Sequence, residues 1–466
     1  MNMSVGADAP LRLENFCGKS PNALDPQHPT RVVGGTGNCS VGSLVVLREM
    51  MDHRTLGRVV LLLTLALAVV ALPGSTGCSH RKDRDHKLET QKTPLPGLSP
   101  NRTEDSRIVR ATASTLAATF DKIPPNPVDQ KSLHALLLSG GGQYAAFNAG
   151  LLLGWTASGQ RPSFDAVTGV SSGAIVGLYA FLGPKYDPRL QYFFTTLQDK
   201  DIFRYRPIYE LVTNGALADP QRMKKLFDSE INDCMLMDIR EAHNEGRRFF
   251  VATMNLKTRR PCIWDMGAIA SSGRPDAGDL VRKIMLASSA IPGLLPSVKF
   301  DYDVDGQRFR EEHVDGGAST QTFLRLGPGA SQPDNGRPLW LKGSNLYSMA
   351  AGKLYPPLLK DDPGFIRRIT STVSAALYAL YRAESMGLYA FCAASGMKFH
   401  MLAIPEDAEV PANSTTFDPK AMKKLFALGY DMAKETIPWR LTPPGAEPGE
   451  EEPTRDATDL LPAKKQ

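Results

Sequence analysis

The pattern of apolar and polar positions divides the chain before any motif is read. Residues 1–49 show no sustained period. After Met51, Arg54 and Arg58 precede an unbroken apolar run at 59–72. Residues 80–127 are polar, charged and proline-containing, the make-up of a surface tether, with one helix expected over 106–120. Near Ser132 a different rhythm starts. An apolar strand at 134–138 runs into Gly140, Gly141 and Gly142 and then a helical run at 143–155. A second strand, 164–168, leads through a glycine-flanked turn to a second apolar helix, 174–182. Strand, glycine loop and helix, twice over, predict an α/β fold with parallel strands. Beyond it the pattern predicts a helix from Asp219-Pro220 with Asp219 as N-cap, and strands at 248–254 and 261–265 around a basic turn. A helix at 280–288 and a strand at 311–314 ending in Asp315-Gly316-Gly317 follow, then a long helix at 366–389 and a last helix at 417–435. From Leu441 the chain is proline-rich and acidic, the composition of a disordered tail. The divisions that result are 1–49, 50–77, 78–130, 131–436 and 437–466.

Composition narrows the class. The 466 residues are 42% hydrophobic, ordinary for a globular protein and enough for one large domain or two medium ones. The net charge of +5 is spread without a basic block, so nucleic acid is not an expected partner. Six cysteines in this length are no disulfide framework. Cys234, Cys262 and Cys392 lack metal-ligand spacing and read as buried apolar thiols. No motif calls for a cofactor or a metal, and no pattern specifies an oligomer.

The apolar run at 59–72 is short of the ~20 residues of a membrane-spanning helix but suits the core of a secretory signal peptide. Pro73-Gly74-Ser75-Thr76-Gly77-Cys78 follows and resembles a bacterial lipoprotein signal, departing from it at Ser75, where that motif usually carries an aliphatic residue. The resemblance implies cleavage before Cys78, lipidation of its thiol, and a cell-envelope protein held on a membrane by its lipid. An ordinary signal peptide with a secreted or periplasmic product, or a short membrane anchor, is the alternative. A signal belongs at a start, so Met50 or Met51 is the expected first residue and 1–49 an over-extended reading frame.

The chemistry concentrates in three places. Gly169-Val170-Ser171-Ser172-Gly173 sits between a strand and a helix. A sharp turn there would expose Ser171 and hold it still, as a nucleophile requires, and the flanking glycines avoid Cβ clashes. Gly140-Gly141-Gly142 admits three readings. It can cradle a phosphate, although the P-loop Lys-Ser/Thr is missing. It can be a tight turn. Or its N–H groups, at a helix start beside a serine turn, can form an oxyanion hole. On the last reading Gly141→Val is expected to fold and lose activity. For the base, His243, His313 and His400 follow the serine but stand in no recognisable signature, and His134 reads as a packed strand residue. Asp315, at a strand end before two glycines, is the stronger candidate, since burial would raise the basicity of a group whose reference pKa is about 3.9. Asp-Gly-Gly is also a common turn.

Taken in order, Ser139-Gly-Gly-Gly142, Gly169-Val-Ser-Ser-Gly173 and Asp315-Gly-Gly317 resemble the patatin-like phospholipases, lipid acyl hydrolases with a Ser–Asp dyad. Gly154-Trp155, Ala287-Ser-Ser-Ala-Ile-Pro-Gly293 and Phe417-Asp-Pro with Leu425-Phe426 and Gly429-Tyr430 extend the resemblance over about 133–433. It implies a three-layer α/β/α sandwich related to the cytosolic phospholipase A2 catalytic domain, with Ser171 as nucleophile, Asp315 as its base and Gly140, Gly141 and Gly142 as oxyanion hole. It implies a lipid or phospholipid substrate and no cofactor; the membrane surface is an expected partner through the lipid anchor at Cys78. Tyr144 and Ala145 stand where many members carry Arg or Lys and then Gly, which bears on the substrate class. Two rival readings stay open: a Ser-His-Asp esterase using His313 or His400, and a catalytically inactive, lipid-anchored binding protein.

Overall fold

A computed structural model describes residues 132–207, 215–304, 307–325, 341–356, 364–447 and 450. The apolar run at 59–72, Cys78, the tether with its expected helix and the end of the tail lie outside the described residues.

Eight strands form one sheet: β1 (His134–Leu138), β2 (Ala166–Val170), β3 (Arg248–Asn255), β4 (Arg260–Asp265), β5 (Val298–Val304), β6 (Gln307–Asp315), β7 (Asn345–Met349) and β8 (Lys398–Leu402). Their order is β8-β7-β1-β2-β3-β6-β5, with β4 also on β3. The five strands β8, β7, β1, β2 and β3 run parallel, and β4, β5 and β6 add antiparallel pairs. Parallel neighbours need crossovers, and helices supply them: α1 (Ala145–Ala157), α2 (Ser172–Leu182), α3 (Asp187–Thr196), α4 (Gln221–Glu230), α5 (Asp233–Asn244), α6 (Ala277–Ser288), α7 (Phe365–Ser395) and α8 (Pro419–Ala433). Alternation in β1 shows how the layers form. Leu136 and Leu138 pack into a core with residues of α1, α2, α3, α6 and α8, while Ala135 and Leu137 face the opposite side and pack with Tyr381, Leu388 and Cys392 of α7. The protein is therefore a helix–sheet–helix sandwich.

The register of β3 positions everything that follows. β4 pairs with 250–255 on one edge of β3. On the other edge β2 pairs with 248–252 and β6 with 253–255, the two running in opposite directions. β2 therefore ends with Val170 opposite Ala252, and β6 ends with Asp315 opposite Thr253. Two strands arriving head to head on one edge bring the residues at their tips together.

Several expected boundaries shift. The helix after the glycine loop begins with a 3-10 turn, Gly142–Tyr144, before α1. The second strand lies two residues later than expected, because Phe164 packs in the core ahead of it. Pro220, not Asp219, is the N-cap of α4; the Asp219 carboxylate still accepts the Gln221 N–H. β6 and α7 are longer than their apolar patterns. β5, β7 and β8 escaped the reading altogether. The tail boundary at 436 falls short: Trp439 packs on Trp155, Tyr347 and His400, and Arg440 exchanges backbone hydrogen bonds with Met401. Cys262 and Cys392 are free thiols, both pushed up to about 12 by burial, whereas Cys234 is disulfide-bonded. No helix among the described residues is long and apolar enough to cross a membrane.

Candidate active site

Ser171 occupies the turn between β2 and α2 at φ 55° and ψ −129°, a backbone conformation that costs a side-chain-bearing residue roughly 1–3 kcal/mol. The flanking glycines make the turn possible. A Cβ on Gly169 would come within 2.5 Å of the Ala174 Cα, and one on Gly173 within 2.4 Å of the Ser139 carbonyl oxygen. The strain is held by a side chain that sequence reading passed over. Ser288, fully buried at the end of α6, accepts the Ser171 N–H at 3.0 Å and donates its own hydroxyl to the Ala252 carbonyl at 2.8 Å. Two residues on, the Ala290 carbonyl accepts the Asp315 N–H at 2.9 Å. The end of α6 thus grips both strand tips at once. Ala287-Ser-Ser-Ala was visible as part of a resemblance, but which serine faces the turn depends on how α6 lies across β3.

The Asp315 carboxylate lies beside Ser171, near enough for the hydroxyl to favour its ionised form, and accepts the Gly317 N–H at 2.7 Å. Burial pushes its pKa up to about 6, against the lowering effect of those two donors. The segment beyond it is tied down as well. Gln321 donates through its side chain to the Gly317 carbonyl, and the Glu384 carboxylate of α7 accepts the N–H groups of Gln321 and Thr322 and the Thr320 hydroxyl at 2.8–2.9 Å. Glu384 is a second residue the sequence did not single out, being one acid on a helix otherwise read for its apolar spacing.

The glycine loop passes beside Ser171. A Cβ on Gly140 would lie 3.0 Å from the Ser171 Cβ. Ser139 anchors the loop: its hydroxyl accepts the Ala351 N–H at 2.9 Å and donates to the Gly140 carbonyl. Among the described residues none accepts the N–H of Gly140, Gly141 or Gly142. The expectation that Gly141→Val would fold is corrected here. A Cβ on Gly141 would sit 2.0 Å from the Ala351 carbonyl oxygen, and one on Gly142, at φ +55°, 2.1 Å from that of Ser414. Those two glycines are packed against backbone, and any side chain there displaces the loop. Tyr144 donates its hydroxyl to the Pro411 carbonyl.

The histidines lie elsewhere. His313 is fully buried between Trp264 and Phe300, with Nδ1 2.8 Å from the Thr253 hydroxyl and Nε2 3.1 Å from Glu311. It shares a strand with Asp315, yet its ring belongs to the Thr253–Glu311 network. His400 stacks on Tyr347 and meets Asn345 through Nε2; burial holds its pKa below the usual histidine value. His243 packs against Gly267 and lies 3.7 Å from Asp265. His134 Nδ1 reaches the Tyr347 hydroxyl at 3.3 Å. Ser172, next to Ser171, has a buried hydroxyl without a hydrogen-bond partner among the described residues and sits in the first turn of α2.

Residues 136–325 match the family model for patatin-like phospholipase. The chain carries a patatin-like phospholipase domain. The match spans β1 through the segment after β6, so it encloses the glycine loop, Ser171 and Asp315. Among solved structures, the domain is similar to VipD from Legionella pneumophila, at 10% identity over 65% of this chain and 66% of that one, with a TM-score of 0.32. Human GIVD cytosolic phospholipase A2 is similar at 12% identity over 71% of this chain and 62% of that one, TM-score 0.32. The type III effector protein ExoU gives 13% identity, 65% and 52% coverage and a TM-score of 0.22. The chain thus spans 52–66% of the length of those structures. At such scores these superpositions add nothing to the fold of the patatin-like domain described above. No curated protein matches the chain.

Proposed function

We propose that the patatin-like domain is a lipid acyl hydrolase of the phospholipase A, lysophospholipase or esterase type, working through a Ser171–Asp315 dyad and an acyl-enzyme. The observation that carries this reading is the placement of a buried carboxylate, raised to about 6, beside a serine held in a strained turn at the neighbouring strand tip. The Ser171 oxygen attacks the ester carbonyl while its proton passes to the Asp315 carboxylate. Negative charge develops on the carbonyl oxygen and is met by N–H groups of the loop formed by Gly140, Gly141 and Gly142. The tetrahedral species collapses, the C–O bond to the leaving alcohol breaks, and that alcohol takes the proton from Asp315. Water then attacks the acyl-enzyme, gives its proton to Asp315, and the fatty acid leaves as Ser171 recovers a proton from Asp315. The substrate class follows from the family, and a lipid ester is the expected partner.

Fluorophosphonate labelling with ester turnover tests the assignment. Ser171→Ala is expected to abolish both. Asp315→Asn is nearly isosteric and is expected to lose about 10²–10⁴-fold in rate. His313→Ala and His400→Ala are expected to retain substantial activity once circular dichroism shows them folded. A folded histidine variant as inactive as Ser171→Ala, beside a working Asp315→Asn, would replace the dyad by a triad. A wild-type protein that takes no label would favour the binding-protein alternative.

The placement of this domain on an envelope membrane through lipidated Cys78 is part of the same proposal, motivated by the apolar run at 59–72 and the small residues before the cysteine. Mass spectrometry of the membrane fraction is expected to find an acylated mature N-terminus at Cys78. An intact peptide crossing 72–81 in the mature protein would rule it out.

A further inference from the structure

The Asp315 carboxylate is the first link of a chain of contacts that ends on α7. β6 stops at Asp315 and a short 3-10 turn, Gly316–Ala318, follows. Gly317 is held from two sides. Its N–H goes to the Asp315 carboxylate at 2.7 Å, and its carbonyl accepts the side-chain amide of Gln321. The fit is close, since a Cβ on Gly317 would lie 3.1 Å from Asp315 Oδ1 and 3.4 Å from Gln321 Nε2. Gln321 is fixed in turn through its main chain. Glu384 Oε2 accepts the Gln321 N–H at 2.8 Å and the Thr322 N–H at 2.9 Å, while Oε1 accepts the Thr320 hydroxyl at 2.8 Å. On the other side Thr168 of β2 donates its hydroxyl to the Phe323 carbonyl at 2.7 Å. The segment after Asp315 is therefore tied to β2 by one side chain and to α7 by another.

Glu384 is itself well held. Tyr381, three residues before it, reaches the Ser348 hydroxyl of β7 at 3.1 Å, the Ser385 hydroxyl donates to the Tyr381 carbonyl at 2.7 Å, and Leu388 and Cys392 are buried. This part of α7 is packed on the sheet and can serve as a fixed post. The choice of residue is informative. Glu384 is half-buried, and its partners are three donors with no cation among the described residues. A carboxylate drawn out of water without an opposite charge is costly unless hydrogen bonds replace its hydration. Here all of them come from one buried segment, Thr320 to Thr322. The Asp315 N–H is secured separately, by the Ala290 carbonyl. The backbone of Asp315 therefore has its own anchor, and what the α7 contact controls is the turn that faces its carboxylate.

We propose that Glu384 is a positioning residue for the Ser171–Asp315 reaction, fixing the Asp315 carboxylate through Gln321 and Gly317. The inference rests on the acyl-hydrolase reading for its consequence, and on the hydrogen bonds alone for the link. Releasing the α7 end frees Gln321, and Gly317 can then turn its N–H away from Asp315. A carboxylate that loses a donor is harder to ionise. It is also free to rotate away from the Ser171 hydroxyl, and small misplacements of a reacting group cost rate steeply.

The test compares the full chain with Glu384→Ala, Glu384→Gln and Gln321→Met. Hydrogen exchange is followed over 316–323, kcat and KM are measured against pH on a soluble p-nitrophenyl ester, and fluorophosphonate labelling is timed. Glu384→Ala is expected to lose protection at Gln321 and Thr322. Its kcat/KM midpoint should move up from about 6 by roughly half to one pH unit. Its kcat and labelling rate should fall about tenfold or more, with KM within about twofold. Glu384→Gln keeps one oxygen for the two N–H groups. Its amide can donate to the Thr320 oxygen while that hydroxyl turns to the Thr322 carbonyl, 3.2 Å away. It is expected to keep the protection and the midpoint and to recover most of the rate. It also cannot titrate, so it separates position from the ionisation of Glu384 itself, whose pKa burial holds above the usual glutamate value. Gln321→Met leaves the main-chain bonds to Glu384 and removes only the link to Gly317. It is expected to shift the midpoint as Glu384→Ala does, and it decides the matter if Glu384→Ala does not fold. An unmoved midpoint in Gln321→Met overturns the proposal. So does a folded Glu384→Gln as impaired as Glu384→Ala, which would make charge rather than position the cause. A parent that takes no label and turns over no ester sinks the hydrolase reading instead, and exchange over 316–323 then decides alone whether Glu384 holds the segment.

Discussion

On the proposed dyad a single carboxylate sets the pH behaviour: Asp315 would have to be ionised to take a proton from Ser171, and burial raises its pKa to about 6. kcat/KM on a soluble ester is therefore expected to rise with pH through a midpoint near 6 and level off above it; a flat profile from pH 4 to 8 would disconnect Asp315 from the chemistry. The same shift has a cost in stability. An acid whose pKa is higher folded than unfolded binds its proton more tightly in the folded state, so the stability it contributes is complete below about 3.8 and falls as pH rises through about 6. That difference corresponds to about 3 kcal/mol. Asp315→Asn is expected to be inactive yet more stable than the parent at pH 8, by up to about that amount, with the gap closing below about pH 4. Urea titrations at the two pH values measure it.

Between elements, the tightest packing is between α1 and α8, and it depends on missing side chains. A Cβ on Gly150 would lie 2.0 Å from the Phe426 carbonyl oxygen, one on Gly154 2.4 Å from that of Tyr430, and one on Gly429 2.2 Å from that of Phe147. These are backbone atoms that cannot rotate away, so the two helices touch along their axes. That contact secures α1, which begins at the glycine loop. Gly150→Val is expected to cost about 1–3 kcal/mol or more, the range of overpacked cores, and to lower activity with it by moving the loop. A variant as stable as the parent in thermal melts would mean that α1 and α8 have room to part. The motif fragments Gly154-Trp155 and Gly429-Tyr430 thus have a physical meaning as two sides of one contact.

On the scale of the whole molecule, the site exists because three distant pieces of chain converge on Ala252. β2 ends beside it, β6 ends at its neighbour Thr253, and the Ser288 hydroxyl binds its carbonyl. Ser288→Ala would leave the Ser171 N–H buried and unpaired, a loss of about 1–3 kcal/mol by itself. If the strained turn depends on that bond, kcat and the rate of fluorophosphonate labelling fall about tenfold or more with little change in KM, and Ser288→Thr, which keeps a hydroxyl, recovers part of the loss. Equal labelling rates in Ser288→Ala and the parent would reduce Ser288 to a structural residue.

The sequence by itself determined what local chemistry dictates. Strand, glycine loop and helix are legible because glycine and apolar period act over a few residues, and Ser171 in its glycine frame is legible for the same reason. The approach of Asp315 was an expectation from motif order, and only the tertiary structure supplies its cause, two antiparallel strand tips sharing the edge of β3. Histidine shows the limit most clearly. His313, two residues from Asp315 and on the same side of the strand, is the rival base the sequence leaves open, and only packing reveals its ring held by Thr253 and Glu311. β5, β7 and β8 were missed because sheet partners, rather than a strong period of their own, stabilise them. The divergent roles of the three loop glycines were hidden too. Gly140 borders Ser171 while Gly141 and Gly142 meet Ala351 and Ser414, and those neighbours are more than 200 residues away in the chain, beyond the reach of any local pattern.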